Sequence, residues 1–275
     1  MRYWIALCAA VLLSACGDNV KPVNPGETKK TNSNFSVENS IQSEIALLSK
    51  KLDESPSNTD LLVDRGDMYM LSGQLDKSLD DYQTAMKLSP DNPDAYCSAG
   101  EIFLAVSDNA KAKDMFQKAV ALDPMYHDAY YNLGLIAAIE SNLNQAVKYL
   151  TRAIEIDPEE GYYYFERAQL YTRMGKYTDA AADYSKYIQF NTDNYLGYYY
   201  RGLAYKGMKN YNAAVKDFTR TIELSPAYGD AYYELGAIYL MTGKTAAALA
   251  DLSKAADLGN PDAEDLLMKI KKEKN

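Results

Sequence analysis

The chain has 275 residues, with 29 lysines and arginines against 38 aspartates and glutamates and a formal net charge of −9. That balance disfavours nucleic acid as a partner, because such binding needs a basic footprint that displaces counterions from phosphates. Three cysteines and a lone histidine, His127, provide neither a disulfide framework nor the ligand set of a zinc site.

The first residues read as a targeting segment. Arg2 precedes an apolar run from Tyr3 to Leu13, which ends in Leu13-Ser14-Ala15-Cys16. This resembles a bacterial lipoprotein signal with its lipobox, in which small residues precede the cleavage point and a thiol follows it. The resemblance implies that residues 1–15 are removed and that Cys16 opens the mature chain with a covalent lipid, palmitate among its acyl groups. An ordinary secretory signal or an uncleaved span are the alternatives, and the run is short for a span. Each buried methylene contributes roughly 0.8 kcal/mol, so several acyl chains would hold the protein firmly on a bilayer. Residues 16–36 are rich in Asn, Lys, Thr, Pro and Gly and read as a flexible tether. Gly17, rather than Asp, after Cys16 resembles the outer-membrane-sorted class of enterobacteria, with the domain facing the periplasm.

Ile41, Ile45, Leu48 and Leu52 then form a helical stripe ending before Pro56. Residues 37–58 therefore read as a lone helix, a half repeat that covers the front of an array. From Thr59 to Asp262 one 34-residue pattern recurs six times without insertion or deletion, as 59–92, 93–126, 127–160, 161–194, 195–228 and 229–262. Such a period means a helical solenoid. The eighth position holds Gly66, Gly100, Gly134, Ala168, Gly202 and Gly236, and the twentieth Ser78, Ala112, Ala146, Ala180, Ala214 and Ala248. Aromatics recur at position four in Tyr96, Tyr130, Tyr164, Tyr198 and Tyr232, and at position twenty-four in Tyr82, Phe116, Tyr184 and Phe218. Pro90, Pro124, Pro158 and Pro226 close units.

Apolar residues step by three and four on either side of turns such as Ser72-Gly73 and Met174-Gly175, so each unit reads as two helices. Small residues permit close backbone approach, and the aromatics fill the space between neighbours. Together these markers resemble the tetratricopeptide repeat family, over about three quarters of the chain. The resemblance implies an all-α fold, a right-handed α-solenoid of antiparallel helix pairs. Residues 263–275 read as a C-terminal capping helix introduced by Pro261, with Ala263, Leu266, Leu267 and Ile270 inward and Lys269, Lys271, Lys272 and Lys274 in water.

The register also pairs charges. Arg65, Arg167 and Arg201 hold position seven, and the same repeats carry Asp81, Asp183 and Asp217 at position twenty-three, which predicts half-buried structural bridges within each repeat. Cys97 reads as a small half-buried apolar residue.

In the family, positions two, five, nine and twelve of the first helices commonly face a bound peptide. Position five gives Tyr131, Phe165, Tyr199 and Tyr233, a candidate aromatic ladder whose alternative is packing between units. Position nine adds Asp67, Glu101 and Gln169. Acidity concentrates in the first three repeats, which suits a partner with basic and apolar or proline-rich stretches. No phosphate-cradling glycine loop, nucleophile elbow or serine with a nearby histidine base occurs, so no enzyme, small-molecule substrate, cofactor or metal is implied. The resemblance implies a membrane-anchored adaptor for envelope proteins or peptides. The alternative is an assembly factor for a secretion, pilus or other envelope machine that uses its convex face or caps.

Overall fold

The computed structural model describes residues 33–273, with side chains described from 38 to 272. The 1–15 segment, Cys16 and residues 17–32 of the expected tether lie outside the described residues. Every described element is a helix, and the chain forms two compact units, one running to Ile156 and the other beginning at Asp157.

The first unit holds α1 (Ser33–Glu54), α2 (Thr59–Leu71), α3 (Leu75–Leu88), α4 (Pro93–Ala105), α5 (Asn109–Leu122), α6 (His127–Ile139) and α7 (Leu143–Ile156). The second holds α8 (Gly161–Arg173), α9 (Tyr177–Phe190), α10 (Tyr195–Gly207), α11 (Tyr211–Leu224), α12 (Gly229–Met241), α13 (Thr245–Asp257) and α14 (Pro261–Glu273). Each first helix opens on the first residue of a repeat, and each second helix on the seventeenth. The fold is an α-solenoid of consecutive antiparallel helix pairs. α1 begins at Ser33, four residues ahead of the expected boundary at 37, and α14 begins at Pro261, two ahead of 263.

Local chemistry sets these bounds. Asn58 accepts hydrogen bonds from the Asp60 and Leu61 N–H groups at 3.1 Å, Asn92 caps α4 ahead of Pro93, and Asn194 caps α10. The turn between paired helices needs a left-handed residue at position fifteen. Gly73, Gly175 and Gly243 supply it at φ of 76°, 71° and 76°, whereas Ser107, Ser141 and Lys209 adopt it at 62°, 60° and 58°.

Within a pair, the small eighth residue meets the large twenty-fourth. A Cβ on Gly100 would lie 2.7 Å from Phe116 Cε1, and one on Gly202 the same distance from Phe218 Cε1. Both rings are fully buried, so only a hydrogen at that α-carbon lets the helices close. Ser78 departs from alanine at position twenty because its hydroxyl donates to the Gly66 carbonyl at 2.7 Å. At the front, Ile45, Leu48 and Leu52 of α1 are buried, and α1 packs on α2. At the back, Asn260 accepts from the Ala263 N–H at 2.9 Å and donates to Asp230 at 2.6 Å, fixing the start of α14 over α12 and α13.

Candidate interaction surface

In the first unit the first helices lie side by side, α2 against α4 and α4 against α6, as well as against their own partners. Their position-nine acids, Asp67 and Glu101, are half-buried. Tyr82 donates its hydroxyl to Asp67 at 2.6 Å, and Tyr126 donates to Asp94 at 2.5 Å. Burial, reinforced by the Asp67 charge, pushes the Tyr82 phenol far above its usual range, so it remains a donor. Asp64 is pushed up by desolvation first, then by Asp60, Glu44 and Asp94, against the pull of Lys51. This face is thus an acidic strip in which part of the negative charge is already engaged by phenols.

The position-five residues do not form an open ladder along the chain. Val63 belongs to the core with Leu52, Leu62 and Tyr82, Cys97 to that with Phe116 and Leu133, and Tyr131 is 7% exposed. Phe165 is also buried, with ring centroids 4.8 Å from Tyr187, 5.5 Å from Tyr200 and 5.6 Å from Tyr184. Tyr131 and Phe165, the candidate rungs, are thus both buried, which favours the packing alternative for these two positions. Tyr199 is half-buried against Tyr228 at 5.0 Å and Phe218 at 5.8 Å. Tyr233 and Gln169 stay partly open, as do Tyr162, Leu196 and Leu203.

The three position-seven arginines are each held by one bidentate bridge. Arg65 donates from Nε and Nη2 to Asp81 at 2.8 Å each. Arg167 reaches Asp183 at 2.7 and 2.8 Å, and Arg201 reaches Asp217 at 2.8 and 2.7 Å. Arg65 Nη1 also reaches Ser49 of the preceding helix at 3.2 Å, and Arg201 Nη1 reaches Ser185 of the preceding pair at 3.1 Å. Rings flank the guanidinium planes: Arg201 lies 5.6 Å from the Tyr198 centroid and 5.9 Å from that of Tyr205. Each held by a bidentate carboxylate beside flanking rings, these arginines read as structural groups rather than anion binders.

Reading positions two, five and nine overlooked position six, which carries Asp64, Ser98, Asn132, Glu166, Tyr200 and Glu234. Ser98, Asn132, Glu166 and Glu234 are all buried. Glu234 receives the Lys206 ammonium at 2.5 Å. Glu166 is 3% exposed, and no described residue makes a hydrogen bond or ion pair with its carboxyl group. Burial alone pushes it up to about 7. The signal for it was in the sequence, as a column of polar residues on an otherwise apolar helix face. Among the described residues no group of three or more His, Cys, Asp or Glu could hold a metal ion, and no helix is long and apolar enough to cross a membrane.

Family profiles described as TPR repeat or tetratricopeptide repeat match residues 66–106, 97–160, 140–195, 195–228 and 218–250. A search of curated proteins finds no match. Among solved structures, the C-terminal part of a TPR repeat-containing protein from Cytophaga hutchinsonii is similar at 19% identity, with a TM-score of 0.67, covering 84% of this chain and 95% of that one. YrrB, titled a TPR protein with an unusual peptide-binding site, is similar at 21% identity and a TM-score of 0.57, over 67% of this chain and 95% of its own. MamA is similar at 26% identity and a TM-score of 0.55, over 62% of this chain and 94% of its own. The 34-residue register, the helix pairs it produces and the profiles spanning residues 66–250 agree, and the chain belongs to the tetratricopeptide repeat family.

Proposed function

We propose that this protein is a non-enzymatic adaptor that docks protein or peptide clients on its first helices and is held at the membrane of the bacterial cell envelope by lipid on Cys16. The carrying observation is the row α2, α4, α6, whose positions two and nine keep Asp94, Asp128, Asp67 and Glu101 half-exposed while the core is completed by other positions. Architecture of this kind serves protein binding, and YrrB, similar in fold, is titled for a peptide-binding site. The lipobox-like Leu13-Ser14-Ala15-Cys16 supports the anchor, and Gly17 supports outer-membrane sorting toward the periplasm. A client with basic and apolar stretches complements the acidic strip.

Two measurements test this reading. Growth with an alkyne-bearing palmitate should label the wild-type chain and leave Cys16→Ser unlabelled; equal labelling refutes the anchor. Affinity capture from envelope extracts should lose specific bands when Glu101→Gln and Asp128→Asn are combined. An unchanged set of bands would move docking off α2, α4 and α6.

A further inference from the structure

Two glutamates occupy position six in the second unit, and they differ in one respect. Glu234, 8% exposed, is satisfied by an ammonium group, that of Lys206. That lysine stands 28 residues earlier in the chain. The same count back from Glu166 reaches Ala138, so the repeat register supplies Glu166 with no lysine. Its carboxyl group is nonetheless not sealed, since every described side-chain oxygen fully cut off from solvent has a hydrogen-bond partner and Glu166 makes no hydrogen bond among the described residues. Both oxygens therefore keep a narrow opening.

Tyr162, Gln169 and Arg173 sit four before, three after and seven after Glu166, on one face of α8, and all three are partly or fully exposed. The titratable groups that feel the Glu166 charge are phenols: Tyr184 and Tyr187 on α9, and Tyr200 on α10. Burial raises the Tyr184, Tyr187 and Tyr200 phenols above their ordinary value, and the Glu166 charge adds to this. A buried carboxylate among phenols, with little room at its oxygens, fits a cation on a slender stem. Lysine, with a point charge on four methylenes, meets that description better than a broad guanidinium.

We propose that Glu166 is the subsite for one lysine side chain of the client segment that docks across α8 and α10, doing between molecules what Glu234 does with Lys206 inside one. This rests on the adaptor reading above. Only the ionised carboxylate attracts the ammonium, so the free protein must first shed the Glu166 proton. Apparent affinity then scales with the ionised fraction, which grows about tenfold between pH 6 and pH 8 for a group titrating near 7.

The test uses a phage-displayed random dodecapeptide library panned on the full chain at pH 8, for wild type and for Glu166→Gln. Wild type should select peptides that align on one fixed lysine column, and Glu166→Gln should select peptides without it. A synthetic peptide from the wild-type selection should bind wild type about tenfold more tightly at pH 8 than at pH 6, with a flat profile on the variant. Peptides lacking a lysine column, a column that survives Glu166→Gln, or a flat wild-type profile would overturn the subsite and leave the adaptor reading standing. No enrichment over a bare support would overturn both. The wild-type pH profile needs no variant, so it decides the matter even if Glu166→Gln folds poorly.

Discussion

The Arg201 bridge offers a direct measure of what holds one helix pair to the next. Arg201→Leu removes two bonds to Asp217, at 2.8 and 2.7 Å, and the Nη1 bond to Ser185. The Asp217 side chain is 7% exposed and that of Arg201 20%, so the stranded carboxylate stays in a poorly solvated place. Breaking such a pair from one side costs about 3–5 kcal/mol, and the partial exposure of Arg201 puts the expected loss near the lower end, about 3 kcal/mol. The third repeat shows how the same two positions look without charge, as Leu133 and Tyr149. Copying it in the double variant Arg201→Leu, Asp217→Tyr should therefore return stability to within about 1 kcal/mol of wild type. Urea unfolding followed by circular dichroism at 222 nm reads both, with an unchanged m-value as the condition for comparing midpoints. A single-variant loss under about 1 kcal/mol, or a double variant no better than the single, would show that the bridge is ornamental and the reasoning wrong.

Three further outcomes follow from particular contacts. Gly202→Ala should lose about 1–3 kcal/mol in the same assay, since its new methyl would sit 2.7 Å from the buried Phe218 ring, while Gly134→Ala, facing the more yielding Leu150 at 3.0 Å, should lose less. Lys209→Gly should gain about 0.5–1 kcal/mol by relieving a left-handed lysine, and a loss would mean that its φ of 58° is not strained. Glu166 is raised from an ordinary 4.5 to about 7, so it favours the folded state fully below 4.5 and that contribution disappears as pH rises through 7. Thermal melts of Glu166→Gln should accordingly gain on wild type by about 3 kcal/mol between pH 4.5 and pH 8, and parallel pH curves would refute the burial argument.

Much of this fold could be read from the sequence, for a physical reason: a 34-residue period presents each structural position six times. Gly100 with Phe116, or Arg167 with Asp183, is a pair at fixed spacing within one unit, so coincidence across units exposes it. Position five was harder. A stripe along one helix does not reveal how the next helix is rotated against it, and that rotation decides whether Phe165 meets water or Tyr184, Tyr187 and Tyr200. The serine contacts were hidden too, because Ser49 and Ser185 precede the repeat of the arginine they receive. Asp251 marks the converse case. It keeps the acid at position twenty-three although Leu235 stands at seven, and burial pushes its carboxyl up with no guanidinium to hold it down.

A chain built this way separates structure from specificity by column. Positions eight, twenty and twenty-four must stay nearly constant, because each sets the distance between two backbones that every other pair also needs. A column freed from that duty can differ from one repeat to the next without cost to the shared geometry. Position six does so, running through Asp64, Ser98, Asn132, Glu166, Tyr200 and Glu234 while the helices that carry it keep the same bounds within each repeat. Only one of its two buried glutamates, Glu234, carries an ammonium group from its own chain. The other is held near neutrality by burial alone, an arrangement that lowers stability at physiological pH and therefore needs a compensating use. A client lysine would supply it, converting an unfavourable buried carboxylate into the ion pair that Glu234 already makes.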